Sequence, residues 1–204
     1  LYTALGQLLS PQDDSVEQFT DSGRKILLRR SRGYAPNYFP SPAWSHPEPV
    51  LAMGADLKSA FALTTPQRVY VSQYLGNLES YGAQEAFEHT LGHLMQLLGT
   101  RPAKIMSDLH PGYYSTLMAQ KLAERLQIPH LQIQHHEAHF AAVLGEQSPE
   151  LLQHEKILGA IWDGTGYGTD EQIWGGEFFL YEEGLMKRYT HLQYFPQVLG
   201  DKMS

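Results

Sequence analysis

The amino-acid sequence predicts an α/β fold. Between residues 50 and 162, short apolar runs typical of strands alternate with segments whose apolar residues recur at helical spacing. Three predicted strands come first, a helix–strand alternation follows, and three further strands close the pattern. Strands that lead into such an alternation are typical of one lobe of an α/β domain.

Composition limits the possible classes of function. The chain has 204 residues, 42% hydrophobic and 18% charged, enough for one domain or for one domain and part of another. Its net charge of -7 argues against a nucleic-acid-binding surface, which needs clustered lysine and arginine. Because cysteine is absent, disulfides, cysteine-ligated zinc and a cysteine nucleophile are excluded within this chain. The absence of cysteine fits a reducing cytoplasm, where we expect the protein. We expect no insertion into a membrane, since no apolar run has spanning length and no signal peptide is recognisable.

A basic hairpin is predicted ahead of the main pattern, after a short apolar stretch at 1–9 and a turn. Residues 15–19 and 25–29 have strand character and are joined by an Asp-Ser-Gly-Arg turn signal. The second strand ends in Arg29, Arg30 and Arg32, whose guanidinium groups suit phosphate oxygens and predict an anion-binding site. The alternative is a solvated, basic strand end.

A proline-rich stretch follows this hairpin. Five prolines between positions 36 and 49 predict an extended linker, which we place at 37–49. We therefore expect the arginine cluster to lie in a module separate from the later sheet.

The elements beyond the linker are assigned from apolar periodicity. The helix predicted at 84–98 has apolar residues three and four positions apart and ends at Gly99, a typical C-cap. The other predicted helices are 115–126 and 137–145, and the predicted strands are 50–55, 57–63, 68–72, 104–109, 131–133, 157–162, 174–181 and 185–195.

Histidines follow one of these strands directly. If the segment that begins at His135 is helical, His135 and His139 lie one turn apart and both rings can bind one ion. Asp163 ends the next apolar strand, and we expect a parallel sheet to bring it to the same edge. Two imidazoles and a carboxylate suit Fe(II) or Zn(II). The alternative is a solvated helix start without a metal, and the spacing is not that of the zinc-protease motif.

A glycine-rich run follows Asp163. Gly164, Thr165, Gly166, Tyr167 and Gly168 predict a hairpin turn whose backbone N–H groups contact nucleotide phosphates, although such glycines also serve turns that need positive φ. Both sets of three strands begin with an apolar strand that leads to an acidic residue, Asp56 or Asp163. This duplication suggests the two-lobed architecture of actin, sugar kinases and the large heat-shock chaperones.

Several runs together resemble the HypF family of hydrogenase-maturation carbamoyltransferases, over Arg29 to Asp201. The resemblance rests on Leu28–Pro36, Gly54–Lys58, Ser72-Gln73 with Gly76 and Leu78-Glu79, Ser107–Pro111 with Tyr113 and Ser115-Thr116, Gln134–His139, Asp163–Gly168 and Ile173–Glu177.

The resemblance implies a domain order and a chemistry. Residues 1–36 would be a short α+β remnant of a YrdC-like domain, 37–49 the linker, and 50–204 the first lobe and the start of the second lobe of a TsaD-like domain. In the family, carbamoyl phosphate supplies carbamate, which reacts with ATP to give carbamoyl adenylate. The carbamoyl group then passes to the C-terminal cysteine of the acceptor protein HypE.

The resemblance also carries residue roles over by position. It makes His135, His139 and Asp163 metal ligands and the run from Gly164 to Gly168 a nucleotide contact. Lys58, Asp108 and His110 become candidate catalytic residues. The alternatives are an exposed hairpin lysine for Lys58 and a turn residue for His110.

Departures from the family pattern limit what we expect of the isolated chain. The middle of the YrdC-like domain is missing, and Asn77, Gly112 and Glu137 stand where the family pattern has aspartate, aspartate and histidine. We therefore interpret the chain as a fragment that binds metal, and nucleotide weakly, without carbamoylating an acceptor on its own. The competing hypotheses are a non-catalytic metal- or nucleotide-binding remnant and a sugar-kinase-like ATPase, which would need no histidine pair.

Overall fold

The computed structural model describes residues 12–40 and 47–194, which divide into two compact units. Within the described ranges, the first unit comprises residues 12–40, 47–107 and 112–131, and the second comprises 108–111 and 132–194. The apolar stretch predicted at 1–9 and residue 195 of the last predicted strand lie outside the described residues.

The first unit is built on a six-stranded sheet in the order β3-β6-β5-β4-β7-β8. Strands β3 to β6 pair antiparallel, whereas β4 and β7 are parallel. The last residue of β7 and the last two of β8 belong to the second unit. The elements are β1 (Val16–Phe19), β2 (Lys25–Arg29), β3 (Tyr38–Pro40), β4 (Val50–Ala52), β5 (Ala62–Thr64), β6 (Arg68–Val71), α1 (Tyr81–Leu98), β7 (Lys104–Asp108), α2 (Tyr114–Leu126) and β8 (His130–Ile133).

Helix α1 begins and ends where its sequence provides caps. The Ser80 side chain accepts a hydrogen bond from the Ala83 N–H, and Gly99 adopts φ 55 and closes the last turn, as predicted. Apolar residues at helical spacing face the core of the unit. That core includes Leu51, Met53, Phe61, Leu63, Phe87, Leu91, Leu94, Ile105, Ala119 and Leu122.

The second unit packs two helices against a three-stranded antiparallel sheet in the order β11-β10-β9. Its elements are α3 (His135–Leu144), α4 (Pro149–His154), β9 (Ile157–Tyr167), β10 (Ile173–Glu182) and β11 (Leu185–His191). The core joins α3 to the sheet through Phe140, Leu144, Ile161, Trp174 and Phe179. Gly159 makes this contact possible, because a Cβ atom there would overlap the Phe140 ring.

The predictions of a linker at 37–49 and of a separate module for the arginine cluster are wrong in part. Residues 38–40, predicted as linker, form β3 and pair with β6, and residues 41–46 lie outside the described range. Arg30 donates to the carbonyls of Val71 and Ser72 at 2.5 and 3.2 Å, so the arginine cluster shares a unit with the sheet. Proline is compatible with an edge strand such as β3.

Two strand predictions also need correction. The strand predicted at 57–63 begins only at Ala62, because Lys58 has φ 50, which an extended strand does not allow. The strand predicted at 157–162 continues through Tyr167, so Gly164 to Tyr167 lie inside β9. Within the glycine-rich run, only Gly168 lies at the turn to β10. Strand β9 belongs to an antiparallel sheet, and the expected parallel arrangement around Asp163 is wrong. Helix α4 was not predicted.

None of the helices in the described ranges combines the length and the apolar character needed to cross a membrane.

Candidate functional site

The candidate site begins where β8 passes into α3. Gln134 is the N-cap of α3, and its Oε1 accepts hydrogen bonds from the N–H groups of His136 and Glu137 at 2.7 and 3.2 Å. This cap starts the helix at His135, two residues earlier than predicted. His135 and His139 therefore lie one helical turn apart, as the spacing predicts.

Asp163 joins the two histidines from β9, which packs beneath α3. Its Oδ2 lies 2.9 Å from Nε2 of His135 and 3.5 Å from Nε2 of His139. The two Nε2 atoms are 3.2 Å apart. Atoms that each bind one ion at about 2.1 Å lie about 3.0 Å apart at octahedral angles and about 3.4 Å apart at tetrahedral angles. The spacing of these three atoms is therefore that of one coordination sphere.

The arrangement of lone pairs in the cluster also fits a cation. Oδ2 of Asp163 is buried and has no aligned hydrogen-bond donor among the described residues. It lies within contact distance of two imidazole nitrogens, so lone pairs converge unless a proton or a metal ion lies between them. The His139 side chain is 55% exposed, which leaves one side of the cluster open to solvent.

Asp108 lies behind His135 at the end of β7. Its Oδ2 is 2.7 Å from Nδ1 of His135, and its Oδ1 accepts a hydrogen bond from the His110 N–H at 2.8 Å. The hydrogen bond to Asp108 raises the pKa of His135; burial opposes this rise, and the charges of Asp108 and Asp163 add to it. The structure places Asp108 against a candidate ligand, while the predicted catalytic roles of Asp108 and His110 stay predictions.

A layer of buried residues next to the cluster supports this arrangement. His136 is fully buried, and its Nδ1 lies 3.1 Å from Nε2 of Gln134, which also donates to the Tyr167 carbonyl at 3.1 Å. Burial lowers the pKa of His136, so the neutral ring is favoured. The Tyr167 ring meets the buried His110 ring edge-on at 5.4 Å. A glutamine at the N-cap position was the available sequence signal for this layer.

The predicted nucleotide-binding run divides into two parts. Gly164 and Thr165 are exposed, and a Cβ atom at Gly164 would meet nothing within 4 Å. Gly166 packs against His136, and Gly168 against Trp174 and Asp170. Phosphate contact through the backbone thus stays a prediction for the exposed residues, whereas the two packed glycines have a structural reason to be glycine.

Lys58 and the arginine cluster belong to the first unit. Lys58 is exposed at a positive-φ turn, where its N–H donates to Oδ1 of Asn77 at 2.9 Å. Arg30 donates to four backbone carbonyls, which gives it a structural role. Arg29 pairs with Asp13, and Nη1 of Arg32 lies 3.1 Å from Oδ1 of Asp14. Anion binding by Arg29 and Arg32 stays a prediction, and any anion would compete with these aspartates.

Family models match most of the two units. Residues 45–146 match the HypF Kae1-like domain, and residues 159–204 match the second subdomain of the carbamoyltransferase Kae1-like domain. Because the Kae1-like domain is of the TsaD-like type, these matches confirm the predicted fold class.

Named relatives agree with this assignment. The chain is 41% identical over 197 residues to carbamoyltransferase HypF of Synechocystis sp., covering 97% of this chain and 24% of that protein. It is 39% identical to carbamoyltransferase HypF2 of Cupriavidus necator, covering 86% and 21%.

Solved structures give the same result. HypF of T. kodakarensis superposes with a TM-score of 0.80 at 36% identity, covering 93% of this chain and 24% of that one. A full-length HypF in the phosphate- and nucleotide-bound form superposes with a TM-score of 0.78 at 33% identity, covering 90% and 23%. The chain spans about a quarter of the length of these relatives. The first Kae1-like model matches half of the chain, and the second matches residues 159–204. The chain therefore belongs to the HypF carbamoyltransferase family.

Proposed function

We propose that His135, His139 and Asp163 hold an Fe or Zn ion in the carbamoyl-transferring part of a HypF-type enzyme. The observation that carries the proposal is the approach of two imidazole nitrogens and a buried carboxylate oxygen to within 3.5 Å of one another. That oxygen has no aligned hydrogen-bond donor in the part of the chain that the structure describes. This donor set is borderline-soft and suits Zn(II) or Fe(II) better than Mg²⁺ or Ca²⁺, which prefer oxygen ligands.

Three protein ligands leave room for a substrate atom. A bound ion would supply Lewis acidity toward the carbonyl oxygen of a carbamoyl group. The open side of the cluster is the side of His139, whose ring is more than half exposed. The Nδ1 atom of His135 is hydrogen-bonded to Asp108, on the side of the ring away from the cluster. The orientation of the His135 ring is therefore more restricted than that of the His139 ring.

The proposed substrate is carbamoyl adenylate, and the proposed acceptor is the C-terminal cysteine of a HypE-type protein. In the transfer, the acceptor thiolate attacks the carbamoyl carbon and forms a C–S bond. The bond from that carbon to the phosphate oxygen breaks, and AMP leaves. Membership of the HypF family supports this assignment, and so does the nucleotide in one relative. Gly164 and Thr165, both exposed and next to Asp163, are the proposed phosphate contact. The Gly164 N–H donates to Oδ1 of Asp163 at 2.7 Å and would exchange this hydrogen bond for one to the phosphate.

Metal binding tests the first half of the proposal. Purified chain, stripped of metal, is titrated with Zn(II) or with Fe(II) under anaerobic conditions, and bound metal is measured by calorimetry and elemental analysis. We expect one site, which the His139→Ala variant loses. His93→Ala is the matched control, because His89 and His93 have the same spacing on α1. Equal loss in both variants, or no site in the unmodified chain, would refute the metal centre.

Carbamoyl transfer tests the second half. In a chimera, residues 1–204 replace the corresponding quarter of a full-length relative, and the carbamoyl mass added to the acceptor cysteine is measured with carbamoyl phosphate and ATP. We expect transfer that H139A abolishes and H93A preserves. Transfer that survives H139A would show that the cluster is not needed for the reaction.

A further inference from the structure

We propose that Asp108 is a positioning residue that sets the tautomer of His135 and so directs the lone pair of its Nε2 toward Asp163 and His139. The inference rests on the proposed function, since it concerns how one candidate ligand is presented to the ion. It assigns to Asp108 an action through His135, in place of the direct catalytic role that the sequence suggested.

The direction of the hydrogen bond follows from the chemistry of the two groups. A carboxylate has no proton to donate, so the hydrogen bond between Nδ1 of His135 and Oδ2 of Asp108, at 2.7 Å, requires the hydrogen on Nδ1. Asp163 does not make the same demand on Nε2, because its Oδ2 has no aligned hydrogen-bond donor among the described residues. In the neutral ring, Nε2 is then unprotonated. That nitrogen faces the cluster, 2.9 Å from Oδ2 of Asp163 and 3.2 Å from Nε2 of His139. The tautomer required for coordination is therefore the one that Asp108 selects.

Asp108 is itself held in one orientation. Its second oxygen, Oδ1, accepts the His110 backbone N–H at 2.8 Å, and a backbone N–H cannot become an acceptor. The side chain is only 6% exposed, which limits rotation into solvent. The loop is also tied to the residue that precedes Gln134, because the Leu109 N–H donates to the Ile133 carbonyl at 2.9 Å. Both oxygens of Asp108 must therefore act as acceptors at fixed places.

An amide cannot meet both demands. In Asp108→Asn the single oxygen would turn to the fixed His110 N–H, and the NH₂ group would face Nδ1 of His135. Nδ1 would then accept, and the proton would move to Nε2, where it points at the cluster and blocks coordination. A shape-conserving substitution thus reverses the tautomer, as happens when the aspartate of a serine-protease triad is replaced by asparagine.

The test reads the tautomer directly in the metal-free protein. Because the pKa of His135 is raised, its ¹⁵N shifts are followed in a histidine-labelled chain with rising pH until they stop changing and the ring is neutral. We expect the Nδ1–H tautomer in the unmodified protein and a shift toward Nε2–H in D108N. Zn(II) affinity should fall about 10–100-fold in D108N, the usual effect of losing such a partner. An Nε2–H tautomer in the unmodified protein overturns the proposal, and this result does not depend on any variant folding.

The matched control is Asp170→Asn. Asp170 is a hydrogen-bonded carboxylate of the same unit, bonded to Trp174 and Tyr194 rather than to the cluster. D170N should lower thermal stability but leave the His135 tautomer and the Zn(II) affinity unchanged. If D108N keeps both the tautomer and the affinity, the positioning role is wrong while the metal centre stands. If the unmodified chain binds no metal, the proposed function fails, and the tautomer still decides the role of Asp108.

Discussion

Gly166 in β9 packs against the imidazole of His136, the buried residue next to the first candidate ligand. A Cβ atom at position 166 would lie 2.8 Å from Nδ1 of His136 and 3.3 Å from Cβ of His135. His136 is 0% exposed, so its ring has no solvent to move into. Glycine at this position therefore permits the close approach of α3 to β9, which brings Asp163 to the histidines.

The Gly166→Ala variant should consequently be destabilised. Overpacking of a filled site costs about 1–3 kcal/mol, and we expect a loss of that size in the free energy of unfolding measured with urea. Gly164→Ala is the control, because a Cβ there meets nothing within 4 Å. If the two variants are equally stable, the packing explanation for Gly166 is wrong.

A second prediction concerns the start of α2. Asp56 accepts hydrogen bonds from the N–H groups of Tyr114 and Ser115 at 2.8 and 3.0 Å, and so caps a helix 58 residues further along the chain. Asp56→Ala should lower the unfolding free energy by about 0.5–2 kcal/mol, the usual cost of losing a cap. Asp21→Ala, in the exposed turn between β1 and β2, is the comparison and should change stability little. Chemical denaturation followed by circular dichroism measures both variants.

Features that depend on neighbouring residues can be predicted from the sequence, whereas features that depend on distant residues cannot. Helix α1 and its Gly99 cap follow from local spacing, and so does the pairing of His135 with His139. The functions of Asp56, Gly166 and Asp108 depend on partners 58, 30 and 27 positions away. A single sequence does not show which residues so far apart along the chain become neighbours in the fold.

Asp163 lies next to His135 and His139 as we expected, but the sheet geometry that brings it there differs from the one predicted. We expected a parallel sheet to bring it to the edge where the histidines lie. It instead lies within β9 of an antiparallel sheet, and α3 packs directly on that strand. Glycine content, position after Asp163 and the family resemblance all favour a nucleotide contact along the whole glycine-rich run, although part of the run serves packing. Composition does not distinguish a glycine that a ligand needs from one that a neighbouring ring needs.

A third prediction concerns a buried ion pair in the second unit. Glu177 has a side-chain exposure of only 1%, and its Oε2 accepts from Nη2 and Nε of Arg188 at 2.6 and 2.7 Å. The guanidinium also lies 3.6 Å from the centre of the Trp174 ring. Arg188→Ala leaves the Glu177 carboxylate buried without its partner, which typically costs about 3–5 kcal/mol.

The exposed pair between Lys156 and Glu182 provides the comparison for Arg188. Its side chains are 68% and 41% exposed, so solvent screens the attraction. Lys156→Ala should leave the midpoint of thermal unfolding nearly unchanged, whereas R188A should lower it clearly. Similar midpoints for the two variants would show that the buried pair contributes no more than a surface one.

The last prediction concerns the pH dependence of the metal-free and metal-bound chain. The pKa of His135 is raised, first by its hydrogen bond to Asp108 and then by the charges of Asp108 and Asp163. The folded state therefore holds a proton that the unfolded chain releases near pH 6.5. This group stabilises the metal-free fold fully below that pH, and the stabilisation is lost as pH rises through the folded-state pKa.

A metal ion has the opposite dependence, because it needs the unprotonated nitrogen. The stabilisation gained from added Zn(II) should therefore grow as pH rises, while the contribution of the proton disappears. His130 and His136, whose pKa values are lowered by burial, contribute with the reverse sign to the metal-free curve. The informative quantity is thus the difference between the unmodified chain and His135→Asn, measured by thermal unfolding from about pH 5 to 8.5 with and without Zn(II). The metal-free difference should shrink with rising pH and the Zn(II) difference should grow; parallel curves would mean that proton and metal do not share His135.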